Sequence, residues 1–189
     1  MKYFKKLIGE RIYLSPLNIE DAEKYVEWFN DFKTSDGTGR SSSIMTLEAE
    51  REWLENAIKK EEFNFSIVNL ENDVLIGNCG ISSINHVSRI GTVGIFIGEE
   101  KNRSNGYGTE ALKLLLDYGF NYLNLNNIML TVKSFNERAI TCYKKVGFKE
   151  IGRRRESYFL NGKYYDDIYM DILASEFKES YIKNKNIWK

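Results

Sequence analysis

The segment Ile95-Phe96-Ile97-Gly98-Glu99-Glu100-Lys101-Asn102-Arg103-Ser104-Asn105-Gly106-Tyr107-Gly108-Thr109 constrains this chain more than any other stretch. An apolar run stops at Ile97 and a polar loop follows. Ala111, Leu112, Leu115, Tyr118 and Gly119 then recur at helical spacing, so a strand leads through the loop into a helix that ends near Tyr122. The first turn of a helix carries unpaired N–H groups and the positive end of the helix dipole. Glycines there let a ligand come close to the backbone, and such a turn suits a phosphate. Arg103 adds a positive charge at the mouth of the loop. A tight strand-to-helix turn with no ligand has the same local pattern, so further signals are needed.

The rest of the chain supplies a frame for this turn. Arg11 to Leu14 reads as a first strand. A helix capped by Asn18 runs through Asn30, and a second, capped by Thr46, covers Glu48 to Lys59 with Leu47, Trp53, Leu54 and Ile58 as its apolar stripe. Between them, Thr34 to Ser43 is rich in Ser, Gly and Thr and is expected to be a surface loop. Phe63 to Val68, Val74 to Ile84 and Thr92 to Ile97 read as an antiparallel meander with turns at 70–73 and 85–89. After the glycine loop and its helix come a short apolar strand, Ile128 to Val132, and a helix from Asn136 to Val146 closed by Gly147. Two strands, around Phe148 to Ile151 and Tyr164 to Ile172, carry the hairpin signal Asn161-Gly162 between them. The strand–helix–strand unit in the middle requires a parallel pair. The expected fold class is therefore α/β (α+β): a mixed, mostly antiparallel sheet of about seven strands, one central parallel pair, and helices on both faces. No repeat or Pro/Gly linker interrupts the chain, and residues 1–189 are expected to form a single domain.

Composition narrows the partners. Lys plus Arg number 27 and Asp plus Glu number 27, so no net positive charge draws the chain to nucleic acid. The run Arg153-Arg154-Arg155 reads as a solvated strand edge. Cys79 and Cys142 form no Cys-x-x-Cys pair and His86 stands alone, so no metal cluster is expected. The basic start, Met1 to Lys6, precedes too short an apolar run for a signal peptide or membrane span. The expectation is a cytoplasmic protein with no nucleic-acid or membrane partner.

Two common phosphate motifs fit poorly. Gly-Lys-Ser/Thr is absent, which disfavours a P-loop. Gly106-Tyr107-Gly108-Thr109-Glu110-Ala111 matches a loose dinucleotide fingerprint, but the next strand ends Thr131-Val132-Lys133-Ser134 without the acidic residue that fingerprint needs.

A second constellation decides between these readings. Arg103-x-x-Gly106-x-Gly108, followed across one helix and one strand by Asn136-x-x-Ala139-x-x-x-Tyr143-x-x-x-Gly147-Phe148, resembles the GNAT acetyltransferase superfamily. The order of elements agrees from Arg11 to about Phe177. The segment Tyr158 to Asp171, with its Leu160-Asn161-Gly162-Lys163 hairpin, resembles the branch holding ribosomal-protein N-terminal acetyltransferases and spermidine acetyltransferases, and Asn85-His86-Val87 is also similar to the spermidine enzymes.

The resemblance implies acetyl-CoA as cosubstrate, no metal, and a primary amine as acceptor, on a small molecule (a polyamine, amino sugar or aminoglycoside) or at a peptide N-terminus. It implies that the backbone of Ile95, Phe96 and Ile97 pairs with the pantetheine arm, and that the amides of Arg103, Ser104, Asn105, Gly106, Tyr107, Gly108 and Thr109 cradle the pyrophosphate. Asn136 would bond the pantetheine arm, and Tyr143 would stand near the sulfur as general acid. A homodimer is compatible with the family. In related enzymes a glutamate often stands where Thr92 falls here, so the base is unassigned; Asp36, Glu48 and Glu156 are candidates. The glutamates of the second helix (Glu48, Glu50, Glu52, Glu55) read as a solvated face. A noncatalytic acyl-CoA-binding module is the alternative of another class, and a dinucleotide-dependent oxidoreductase is the third reading.

Overall fold

A computed structural model of the protein describes residues 2–60, 63–178 and 180–183. The seven expected strands are present among them, and a two-residue strand, β1 (Leu7–Ile8), precedes them. The others are β2 (Ile12–Pro16), β3 (Phe63–Asn69), β4 (Leu75–Asn85), β5 (Ile90–Ile97), β6 (Asn127–Lys133), β7 (Lys149–Leu160) and β8 (Lys163–Leu173). They form one sheet in the order β1-β2-β3-β4-β5-β6-β8-β7. Every neighbouring pair is antiparallel except β5 and β6.

Among the described residues the α-helices are α1 (Ala22–Asn30), α2 (Phe32–Thr38), α3 (Leu47–Lys59), α4 (Tyr107–Asn121) and α5 (Glu137–Val146). They cover both faces of the sheet, and β2 records this directly. Successive strand residues point to opposite sides. Ile12 and Leu14 join the core that holds Leu112, Leu115 and Leu116 of α4, whereas Tyr13 between them joins the core of Tyr25, Trp28 and Phe29 of α1 with Leu54 of α3.

Three expectations change. The stretch Thr34 to Ser43 is not all loop, because α2 occupies its first part. Asp31 caps α2 by accepting the Lys33 N–H at 3.0 Å, and Gly39 closes it at φ 72°, a left-handed conformation that glycine takes without strain. On α3 the inward stripe is Glu50, Leu54 and Ala57, while Trp53 and Ile58 are partly exposed, so the helix is rotated from the expected face. The strand expected at Phe148–Ile151 runs on to Leu160, while the last strand, Lys163–Leu173, matches its expected span. Their turn is the Asn161-Gly162 pair, with φ of 49° and 77°, the left-handed values a tight two-residue hairpin requires.

The parallel pair is short. Strands β5 and β6 are in register only from Ile90–Thr92 against Asn127–Met129. Beyond that point Val93 to Ile97 pairs with β4 alone, and Leu130 to Lys133 pairs with β8 alone. The sheet therefore opens in its middle, at the C-terminal ends of its two parallel strands.

Candidate active site

Two cavities, of about 530 and 440 Å³, occupy the place where β5 and β6 part. Gly37 and Thr38 of α2, Ile95 and Phe96 of β5, and Tyr143 of α5 line both. The larger continues past Ile97 to the glycine loop and the start of α5; the smaller lies toward α1, α3 and β4.

The glycine loop is held from outside and open from inside. Gly106 takes φ 83° and Ser104 φ 61°. A side chain at Gly106 would be strained by that angle and would also approach the Arg11 guanidinium to 2.8 Å. Glu110, in the first turn of α4, accepts the N–H groups of Glu10 and Arg11 at 2.7 and 2.8 Å, and Arg11 donates to the Asn105 carbonyl at 2.9 Å. The turn between β1 and β2 thus braces the loop from behind. Among the described residues no acceptor faces the N–H groups of residues 104–109. Six consecutive free donors at a helix N-terminus, beside a cavity, form an anion-binding cradle.

Arg103 differs from its expectation. Its backbone N–H donates to the Glu100 carbonyl at 3.0 Å, so it is not one of the free donors. Its guanidinium donates to the carbonyls of Ile97 (3.1 Å), Gly98 (2.7 Å) and Lys33 (2.8 Å) and to the Thr34 hydroxyl (2.5 Å). Four acceptors engage the charge expected at the mouth of the loop, and the residue joins the end of β5 to α2. Gly98 is close-packed here as well, since a Cβ there would lie 2.1 Å from the Trp28 ring.

Asn136 caps α5, its side-chain oxygen accepting the Ala139 N–H at 3.2 Å, and its amide nitrogen donates to the Gly37 carbonyl at 3.3 Å. It stands in the wall of the larger cavity. Tyr143, two turns later, packs edge-on against Phe148 with ring centroids 6.0 Å apart. Burial raises its phenol pKa above the ordinary value, with a smaller push from nearby Cys142, so it stays protonated through the physiological range. Cys142 sits 3.2 Å from the Thr109 hydroxyl, and burial raises its thiol too.

The candidate bases separate by position. Glu48 and Glu156 are exposed, and Asp36 accepts the Ser41 hydroxyl at 2.6 Å. Glu99 pairs with Lys24 and Lys101, and Glu100 with Lys33. Glu50 is the exception. It is 1% exposed, lines the smaller cavity, and its Oε1 has no hydrogen-bond partner. Reading the α3 glutamates as one solvated face holds for Glu48, Glu52 and Glu55 and fails for Glu50. The missed signal was its spacing of four and seven residues from Leu54 and Ala57, which puts it on their face of the helix. Thr92 is half-buried on β5 and offers no carboxylate.

A cradle of free amides, a parted pair of parallel strands and a half-buried tyrosine at the junction of two cavities agree with comparisons to known proteins. A sequence model of the acetyltransferase (GNAT) domain matches residues 11–149. The chain belongs to the GNAT acetyltransferase family. It is an N-acetyltransferase of a family that takes its acetyl group from acetyl-CoA, and the dinucleotide reading is set aside. It is 30% identical over 179 residues to the probable N-acetyltransferase YjcK of Bacillus subtilis, covering 88% of this chain and 96% of that protein. It is 40% identical over 94 residues, half of each chain, to the spermidine N(1)-acetyltransferase of Escherichia coli. Its fold superposes on the spermidine N-acetyltransferase of Vibrio cholerae, solved in complex with CoA and spermine, with a TM-score of 0.80, 26% identity, and coverage of 88% of this chain and 98% of that one. Among the described residues, no group of three or more His, Cys, Asp or Glu side chains is arranged to hold a metal, and no helix is long and apolar enough to cross a membrane.

Proposed function

We propose that the chain works as one acetyltransferase domain, residues 1–189, transferring acetyl from acetyl-CoA to the primary amine of a small cationic molecule, with polyamines the leading class. The observation that carries this is the meeting of two cavities at Tyr143, one reaching the amide cradle and the other enclosing a buried carboxylate. Similarity to spermidine acetyltransferases supports the choice of acceptor.

Acetyl-CoA supplies an activated thioester, so the protein needs to bind, orient and manage protons. The amides of residues 104–109 fit a pyrophosphate. The unpaired edge of β5 at Ile95, Phe96 and Ile97 suits an extended pantetheine arm, added as a strand would be. The Gly98 N–H donates to the Ile76 carbonyl of β4, and with the alternation of the ladder the Phe96 backbone groups also face β4, so Ile95 and the Ile97 N–H carry that pairing, the Ile97 carbonyl already accepting from Arg103. Asn136 caps α5 with its oxygen and gives one amide N–H to the Gly37 carbonyl, which leaves its second N–H for the arm. A backbone N–H around Phe96–Ile97 would stabilise the oxyanion that forms as the amine attacks.

Tyr143 would donate to the departing sulfur. In water a phenol is a weaker acid than a thiol by about 1.5 pKa units. Burial raises the Tyr143 phenol as well as the neighbouring Cys142 thiol, so it does not remove that mismatch; the proton has to move together with C–S cleavage, in a cavity that solvates a naked thiolate poorly.

The test is thiol release from acetyl-CoA with a panel of spermidine, 1,4-diaminobutane, an amino sugar, an aminoglycoside and a peptide with a free N-terminus. Turnover of the polyamines above the others supports the reading. Turnover of the peptide alone moves the acceptor to protein N-termini.

A further inference from the structure

The smaller cavity contains a charge that the fold does not satisfy. Glu50 is 1% exposed, its Oε1 has no hydrogen-bond partner, and no cation pairs with it among the described residues. Leaving a buried carboxylate oxygen unpaired destabilises a fold unless something else compensates it. The protein's own cations near the cavity are otherwise engaged. Lys133 pairs with Asp167 at 2.6 Å and lies 4.6 Å from the Tyr158 ring centroid. Arg40 stacks on Phe29 at 4.7 Å and forms no ion pair with Glu50. Burial raises the Glu50 pKa, and the field of nearby Arg40 opposes this only in part, so an incoming cation would add what the fold leaves out.

The walls add to this. Trp53, one turn beyond Glu50 on α3, lines the same cavity and keeps 38% of its surface exposed. An aromatic face beside a buried carboxylate is a setting that attracts an ammonium group. A side chain at Gly94 would meet nothing within 4 Å, so the floor between Glu50's side and Tyr143 is open.

We infer that Glu50 is the binding residue for the acceptor: its carboxylate receives an ammonium group of the amine in the smaller cavity and sets the preference for cationic acceptors. This rests on the acetyltransferase reading above. An incoming ammonium supplies the partner that Oε1 lacks, and the approach of that charge along the cavity leads toward Tyr143 and the edge of β5. A neutral amine of the same size gains no such partner.

The experiment compares the full-length wild type with Glu50→Gln. Spermidine binding to the CoA-bound protein is measured by calorimetry, spermidine acetylation at saturating acetyl-CoA by thiol release, and melting with and without acetyl-CoA. The expected result is a melting temperature for Glu50→Gln at or above that of the wild type, an unchanged acetyl-CoA shift, and a tenfold or greater weakening of spermidine binding and rise in its KM. Equal spermidine binding and KM in the two proteins would overturn the role of Glu50 while leaving the acetyltransferase reading intact. A Glu50→Gln protein that melts far below wild type would overturn it too, marking Glu50 as a structural group. Wild type that binds acetyl-CoA yet neither binds nor acetylates spermidine would refute the cationic-acceptor reading itself.

Discussion

The Arg103 guanidinium donates to the Thr34 hydroxyl at 2.5 Å, and both groups donate to one acceptor, the Gly98 carbonyl, at 2.7 and 3.0 Å. This ties α2 to the point where β5 ends and the glycine loop begins. Since α2 also forms a wall of both cavities, the clamp sets the width of the site without needing to touch a ligand.

Arg103→Ala is expected to lose stability on the order of 2 kcal/mol, because charged hydrogen bonds to otherwise unsatisfied carbonyls contribute about 1.5–3 kcal/mol each and water recovers part of the loss. Denaturant melts measure this. Arg103→Lys is expected to recover only part of it, since an ammonium lacks the fork that reaches four acceptors.

Tyr143→Phe keeps the ring that packs on Phe148 and removes only the hydroxyl. Turnover is expected to fall about 10²-fold, the lower range for loss of a positioned proton donor, with the melting shift from acetyl-CoA unchanged. Unchanged turnover would remove Tyr143 from the acid role.

Gly94→Leu projects a side chain into the open floor of the smaller cavity, where a Cβ meets no protein atom within 4 Å. The fold should tolerate it. The KM for the amine is expected to rise at least tenfold while acetyl-CoA binding holds, which would separate the roles of the two cavities.

Glu50 carries a pH signature in the ligand-free protein. Burial raises its pKa and the Arg40 field opposes this in part; the Tyr25 phenol also senses its charge. A carboxyl whose folded pKa lies above its unfolded value favours the fold when protonated, and that contribution is lost as pH rises through the folded pKa. Wild type and Glu50→Gln should therefore have similar stability below about pH 4, the unperturbed range for glutamate. The glutamine variant should gain relative stability as pH rises toward neutrality. Melting curves of both proteins across that range would show it.

What the sequence disclosed follows from which interactions are local. The glycine loop, the caps at Thr46 and Gly147, and the Asn161-Gly162 turn are read from residues a few positions apart, and each occurs as expected. Helix α2 was missed because Thr34, Ser35 and Gly37 are poor helix formers; its stability comes from the Asp31 cap and from Arg103, about 70 positions away. The rotation of α3, and with it the burial of Glu50, depends on how that helix lies on the sheet. A glutamate among glutamates gives no sign of that unless its spacing to Leu54 and Ala57 is weighed first. The inward turn of Arg103 was likewise hidden, since its acceptors are mostly backbone carbonyls, which no residue code reveals. The parting of β5 from β6 leaves no mark in either strand's composition.

The most direct test of the account is a thermal melt of the wild-type protein with acetyl-CoA, beside NAD and ATP. A ligand that binds only the folded state adds about 2.7 kcal/mol of stability at a hundredfold excess over its Kd. A clear upward shift with acetyl-CoA, and none with NAD or ATP, is the predicted result. A well-folded sample that shows no shift with acetyl-CoA would contradict the assignment of the amide cradle at residues 104–109 and of the gap beside β5.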